Sequence, residues 1–306
     1  MKIRNMLLTS TALFCAASVP VNALSSHTWV SANGNDANTG TEVSPYADFA
    51  TAVANTAAGG TVSVLGPGDY GPVTITQSIT IDGTGGGSIN FAGDGEGIYV
   101  NPGAAANIVL KNLTVGGGGT GSDAIFIASS GTTNVVNVVI DHCLIAGFAQ
   151  IGVGLGSESP MNVTITNTTI TGGALGVRTF QNGTSAPVTN YDSVAIDHSV
   201  ITGASSAGVF TRNGVVQVTY SVVTQSAVGV EADTYAVLSV ANSAITSNQT
   251  GVCSYTNSKI RLDSNDIYDN PTAIENCGGI YKTSGTNKTS GTIGATPAEV
   301  SNSVLF

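Results

Sequence analysis

Ionic side chains are scarce in this 306-residue chain, which carries 9 Lys and Arg, 19 Asp and Glu and 3 His. Where they gather therefore matters. Arg178, Arg212, Glu231 and Asp233 fall in short segments of one form, Gly176-Val-Arg-Thr-Phe180, Gly208-Val-Phe-Thr-Arg212 and Gly229-Val-Glu-Ala-Asp233. Gly251-Val-Cys-Ser-Tyr255 and Ala273-Ile-Glu-Asn-Cys277 continue the series. Read as strands, these segments turn Arg178, Phe180, Phe210, Arg212, Glu231, Asp233, Cys253, Tyr255, Glu275 and Cys277 outward on one strip. Glu231 and Asp233, two apart on one face, have Cα atoms roughly 6.5–7 Å apart. Carboxylates at such a range can divide the acid and base roles of an inverting glycosidase. Arg178 and Arg212 are candidates for a lyase base or a uronate clamp, and Phe180, Phe210 and Tyr255 for stacking on sugar rings. The same residues also admit a structural reading. Arg212 and Asp233 occupy one position of successive repeats and can form a surface ion pair of small worth, and outward aromatics stack on one another along a sheet.

The elements that must hold this strip are written in a repeat. Val163-Thr-Ile-Thr-Asn-Thr-Thr-Ile-Thr-Gly returns as Val194-Ala-Ile-Asp-His-Ser-Val-Ile-Thr-Gly, and again from Val216, Leu238 and Ile260, the last three intervals being 22 residues each. A period of that size, rich in β-branched residues and punctuated by Gly, specifies a solenoid of stacked strands. One coil reads as three strands. Val194 and Ile196 point inward, Asp197-His198-Ser199 turns a corner, and Ile201 points inward again. Thr202 to Ser206 forms a loop, and Val209 and Thr211 face in while Phe210 and Arg212 face out. The inward columns are then Ile140, Ile165, Ile196, Val218, Val240 and Leu262, with Ile145, Ile170, Ile201, Val223, Ile245 and Ile267 beside them. Cys143, Thr168, Ser199, Ser221, Ser243 and Asn265 line the corner, where small polar groups can bond from coil to coil. Cys143 is expected to be a buried corner residue rather than a nucleophile. Nine or ten coils, at about 4.8 Å each, give a rod of roughly 45 Å.

The remaining boundaries follow. Residues 1–23 read as a signal peptide, with Lys2 and Arg4 ahead of an apolar run and Val21-Asn-Ala23 as the cleavage site. The run is too short to span a bilayer. Residues 24–60 form an N-terminal segment with a capping helix over 47–58, whose Phe49, Ala50, Val53 and Ala54 would plug the first coil. Residues 61–280 are the β-helix, and 281–306 a loose tail with a terminal cap. Gln181 to Asp192 is the largest loop and would bulge from the rod. Loss of Lys2 and Arg4 leaves 7 basic against 19 acidic residues. That balance argues against nucleic acid and anionic membrane surfaces as partners. A monomer is expected. Cys253 and Cys277 are the one plausible disulfide pair, but their diagonal offset on adjacent strands argues against a bridge. No cofactor and no metal is expected. Gly118-Gly-Thr-Gly-Ser-Asp123-Ala-Ile125 matches a single calcium nonapeptide without the neighbouring copy that would close a site. His142 and His198, beside Asp141 and Asp197, are separated by the Asn167 coil.

The N-terminal run carries a resemblance. Trp29-Val-Ser-Ala-Asn-Gly-Asn-Asp-Ala-Asn-Thr-Gly-Thr41, Ser44-Pro45, and the stretch from Gly60-Thr-Val-Ser-Val-Leu-Gly-Pro-Gly-Asp-Tyr70 through Ile81 resemble secreted bacterial right-handed parallel β-helix proteins of the pectin-lyase-like superfamily. Within it, the match is closest to a small proteobacterial group of single-domain β-helix proteins. The resemblance covers about residues 27–280 and implies an all-β, three-sheet, right-handed parallel β-helix. It further implies that a functional groove would run along the Gly-Val-x-x-x strand. It does not supply a catalytic motif. There is no Arg-x-Pro-x-x-Arg of pectate lyases and no Gly-His-Gly of polygalacturonases, and Lys259-Ile-Arg261 reverses the Arg-Ile-Lys order. Asp141-His142 and Asp197-His198 lack the proline of the alginate epimerases' Asp-Pro-His. Two functions follow as expectations: a secreted protein that engages polysaccharide as a lyase or glycoside hydrolase, or a non-catalytic structural, adhesive or glycan-binding module outside the cell, in periplasm or medium.

Overall fold

The computed structural model describes residues 24–129, 135–157, 160–181, 192–294 and 298–299. The expected signal peptide and nearly all of the loop after Gln181 lie outside these residues. The described chain is a parallel β-helix. One face is a twelve-stranded, all-parallel sheet that runs in chain order from Ser25–Val30 to Ala298–Glu299. A second face carries short strands such as Thr169–Thr171, Val200–Thr202, Val222–Thr224 and Ala244–Thr246. A third carries Leu175–Gln181, Ala207–Arg212, Val228–Asp233, Thr250–Ser254 and Thr272–Glu275. Thr114–Ile127 and Leu144–Ser157 each run unbroken around the corner between the second and third faces.

The repeat dictates this register. Ile140, Ile165, Ile196, Val218, Val240 and Leu262 pair in sequence across the first face, and each is at most 1% exposed. Ile145, Ile170, Ile201, Val223, Ile245 and Ile267 are fully buried beside them. Each inward side chain covers its equivalents above and below. A coil thus buries its apolar face only through its neighbours.

The corner column closes as a hydrogen-bonded ladder. The backbone N–H of Cys143 donates to Thr168 Oγ1, that of Thr168 to Ser199 Oγ, that of Ser199 to Ser221 Oγ, and that of Ser221 to Ser243 Oγ, all at 3.1–3.2 Å. Ser243 and Asn265 donate in turn to the side-chain carbonyls of Asn265 and Asn287 at 3.0 Å. The residue before each corner group is left-handed: Asn112, His142, Asn167, His198, Tyr220, Asn242 and Ser264 have φ between 47° and 57°. Asn tolerates that region best, and the ladder holds His and Tyr there as well. Cys143 is buried within this column.

Several expectations are corrected. The helix is Phe49–Ala54, capped by Asp48 through Thr51 N–H, and it buries Phe49, Ala52 and Val53; Ala50 and Ala54 are exposed. It ends early because the chain enters the strand Thr56–Val64, where Thr56 bonds Thr28. The rod exceeds nine or ten coils, since strands of the first face precede residue 61 and follow residue 280. The tail expected over 281–306 opens as a strand: Tyr281 and Thr283 pair in register with Ile260 and Leu262. Finally, Cys253 and Cys277 form a disulfide with Cα atoms 5.8 Å apart. The third-face strand ends at Glu275, and the chain turns so that Cys277 N–H donates back to Glu275 C=O. The diagonal offset of two continuous strands therefore does not apply.

Candidate functional site on the third face

The outward strip exists as a register. Tyr99, Phe126, Gly154, Arg178, Phe210, Glu231, Cys253 and Glu275 are successive partners in one column. Gly156, Phe180, Arg212 and Asp233 form the column beside it. All four candidate catalytic residues and both candidate phenylalanines thus share one side of the rod. Tyr255 lies just past its strand, 42% exposed, and bridges Gly278. Val177, Val209, Val230 and Val252, one residue before each outward group of the first column, are fully buried and fix the orientation of the strip.

At the N-terminal end of the strip, Asp123 is 7% exposed. Burial pushes its carboxyl upward, opposed chiefly by the Arg178 guanidinium. Burial also pulls Arg178 below its ordinary value, with Asp123 opposing, and Arg178 Nε is buried without a hydrogen-bond partner. Gly154 makes room here: a Cβ on it would lie 3.0 Å from the Phe126 ring and 3.4 Å from Asp123 Oδ2. Tyr99 and Phe126 lie parallel, their centroids 6.1 Å apart. In the middle, the guanidiniums of Arg178 and Arg212 lie 5.5 and 5.3 Å from the Phe180 ring centroid, within cation–π range.

The C-terminal end is a carboxylate cluster. Burial, then Asp233, then Glu275 raise the Glu231 pKa. Glu231, burial, Glu275 and Asp233 raise that of Tyr255. A carboxyl whose hold on its proton is raised above the ordinary is suited to protonate a leaving oxygen. Asp233 is differently placed. Its Oδ1 accepts from the Thr234 N–H at 2.8 Å and hydroxyl at 3.0 Å, and its Oδ2 lies 3.7 Å from Arg212 Nε. The expected Arg212–Asp233 ion pair is therefore present. Glu275 accepts one hydrogen bond, from Thr250 at 3.3 Å. The donor atoms of Cys253, Glu275 and Cys277 lie within 4.8 Å of one another, but both sulfurs are committed to the disulfide.

A groove lies elsewhere on the rod. A cavity of about 660 Å³ follows the corner between the second and third faces, lined by Gly203, Ser205, Gln225, Ser247, Gln249 and Asp269. It has one carboxylate and no aromatic side chain, so concavity and chemistry do not coincide here. The strip has the stronger case because its ionisable groups are perturbed and mutually coupled.

Sequence reasoning missed Tyr99, Phe126 and Asp123. The first two were within reach: Gly97-Ile-Tyr99 and Ala124-Ile-Phe126 repeat the Gly-Val-x pattern. Asp123 gave no such signal, because it stands ahead of the outward positions of that pattern.

No family model matches the chain, and no curated protein matches it. Among solved structures it is similar to pectate lyase Pel9A, at 14% identity and a TM-score of 0.64 over 90% of this chain and 82% of that one. It is also similar to a GH136 lacto-N-biosidase from Eubacterium ramulus, at 10% identity and a TM-score of 0.57 over 90% and 67%. These likenesses show the fold, a parallel β-helix.

Proposed function

We propose that this is an exported protein that engages polysaccharide along the third-face strip, and that the strip hydrolyses a glycosidic bond with Glu231 as proton donor. The observation that carries the reading is the Glu231 environment. It is a half-buried carboxyl whose affinity for a proton is raised by burial and by two neighbouring carboxylates. A glycan laid along the rod would meet Tyr99 and Phe126, then Phe180 between its two arginines, then Phe210 and Glu231. The two structural neighbours, a pectate lyase and a lacto-N-biosidase, fit a carbohydrate partner. Arg178 is not assigned a lyase role, since burial and the Phe180 ring hold its guanidinium.

The test is incubation with polygalacturonate, alginate, xylan, laminarin and lacto-N-tetraose. New reducing ends, lost in Glu231→Gln, are the expected result. Product absorbing as an unsaturated uronide would replace hydrolysis by elimination. The satisfied Asp233 favours a second reading, a non-catalytic glycan-binding module; retention of a panel glycan without product would establish it.

A further inference from the structure

Glu231 and Asp233 lie two residues apart on one face, but the two carboxylates are not equally free. Both oxygens of Asp233 are engaged, by Thr234 and by Arg212. Glu275 lies in the same column as Glu231, with Cys253 between them. Two coils separate their Cα atoms by roughly 9–10 Å at parallel-strand spacing. Carboxyl groups that activate a water opposite a departing sugar are commonly about 6.5–9.5 Å apart. Between the two lies the Cys253–Cys277 disulfide, a floor without a charge.

The same disulfide belongs to a clasp. The Tyr281 hydroxyl accepts from Ser254 N–H and donates to Glu275 C=O, each at 2.6 Å. Gly279 N–H donates to Ser254 C=O at 2.7 Å. The turn that follows Glu275 is thus fastened to the coil below by one covalent bond and two hydrogen bonds, and the third, from Tyr281 to Glu275, ties it to itself. Glu231, Asp233 and Glu275 repel one another when ionised, so an unfastened Glu275 would swing away. Its own strand ends at that residue.

We propose that Glu275 is the partner carboxylate of Glu231, and that the Cys253–Cys277 disulfide is the spacer that presents it. The assignment rests on the hydrolytic reading above. Glu231 gives its proton to the glycosidic oxygen as the bond from that oxygen to the anomeric carbon breaks. Water adds to the anomeric carbon from the opposite side and yields its proton to Glu275. Glu231 ends ionised and Glu275 protonated, and exchange with solvent restores both. Arg212 and Thr234 hold the Asp233 carboxyl in place beside Glu231, a positioning role.

The experiment has two arms. In the first, turnover of the panel glycan cleaved by the wild type is compared with that of Glu275→Gln and Asp233→Asn. A loss of a hundredfold or more in Glu275→Gln, against less than tenfold in Asp233→Asn, is expected; the reverse order overturns the assignment. In the second, carboxyl carbon NMR follows Glu231 through a pH titration in the wild type and in Glu275→Gln, each oxidised and reduced with a phosphine. Glu275→Gln lowers the Glu231 midpoint, reduction lowers it in the wild type, and reduction adds nothing once Glu275 is gone. Equal shifts on reduction with and without Glu275 overturn the spacer role. The Cys253→Ala/Cys277→Ala variant repeats this arm should the reductant disturb folding. If no panel glycan is cleaved, the hydrolytic reading falls, while the titration arm still decides whether the disulfide sets Glu275 against Glu231.

Discussion

Two ridges of carboxylates run along this rod, and they are held in opposite ways. On the corner between the first and second faces, Asp82, Asp141, Asp197 and Asp263 are wrapped in donors. Asp141 accepts from Thr166 at 2.8 Å, Asn167 at 3.0 Å and His142 at 2.8 Å. Asp197 accepts from Thr219 at 2.5 Å and His198 at 2.7 Å. Burial lifts Asp82, but hydrogen bonds from Thr84, Lys111 and Asn112 overcome it and hold that carboxyl at about 2. All four lie below the ordinary carboxylate value. On the third face, Asp123 and Glu231 are raised, burial being the largest cause. The corner carboxylates staple coils together. Glu231 on the strip is kept short of donors and close to like charge, at some cost to the fold. An arrangement that opposes stability, on a face that also carries Tyr99, Phe126, Phe180 and Phe210, reads as a site.

The largest expected effect separates the ridges by activity. Glu231→Gln should lower kcat on a cleaved glycan by about 10²–10⁴-fold, the usual worth of a positioned proton donor. Asp197→Asn, on the corner, should leave kcat within about twofold. Steady-state kinetics on both variants checks this, and a comparable loss in both would dissolve the distinction.

Interior packing comes next in size. Ile245→Ala, in a fully buried column, should cost about 2–5 kcal/mol, the usual range for such a truncation. Phe210→Ala, partly exposed on the strip, should cost less than half as much while weakening glycan retention. Denaturant melts and affinity electrophoresis measure the two properties separately.

Part of this contrast is legible in sequence. The inward columns and the corner column are, because stacking demands the same kind of residue every coil: Ile or Val inside, Ser, Thr or Asn at the bend. The strip is legible for the same reason, as Gly-Val-x-x-x. What escaped depends on departures from the repeat. Tyr281 and Thr283 occupy inward positions normally held by Val or Ile, so the apolar alternation fades although the coil continues. The disulfide depends on a turn after Glu275 that no period announces. The engagement of Asp233 by Thr234 is a local side-chain bond, invisible to spacing. Which carboxylate is free is therefore a property of coordinates, whereas which face carries it is a property of the repeat.

Asp192 sharpens the rule away from both ridges. It is fully buried, accepts one hydrogen bond from Met161 N–H at 3.1 Å, and leaves Oδ2 unpartnered. Burial pushes its carboxyl up to about 7. Below about pH 4 both folded and unfolded chains hold this proton. Between about 4 and about 7 only the folded chain does, so stability falls as pH rises through that window. Asp192→Asn should remove this slope and raise stability at pH 8 by on the order of 1–3 kcal/mol, read from urea melts at pH 4, 6 and 8.

The smallest effect is the most discriminating, because the two ridges predict opposite signs. A corner carboxylate with a depressed pKa stabilises the fold above its unfolded value, near pH 4, and that contribution is lost as pH falls through the folded value. Asp197→Asn should therefore lower the melting temperature at pH 7, by the equivalent of about 1 kcal/mol for its charge-assisted bonds at an exposed site. The deficit should shrink towards pH 3. Glu231 has a raised value, so its ionised form opposes folding at neutral pH, and Glu231→Gln should melt no lower than the wild type at pH 7. Any gain should vanish below about pH 4, where both states of the wild type are protonated. Paired melts of the two variants across pH 3–8 give the comparison directly. A Glu231→Gln deficit that mirrors that of Asp197→Asn would mean that the strip carboxylate is one more staple, and the case for its chemistry would go with it.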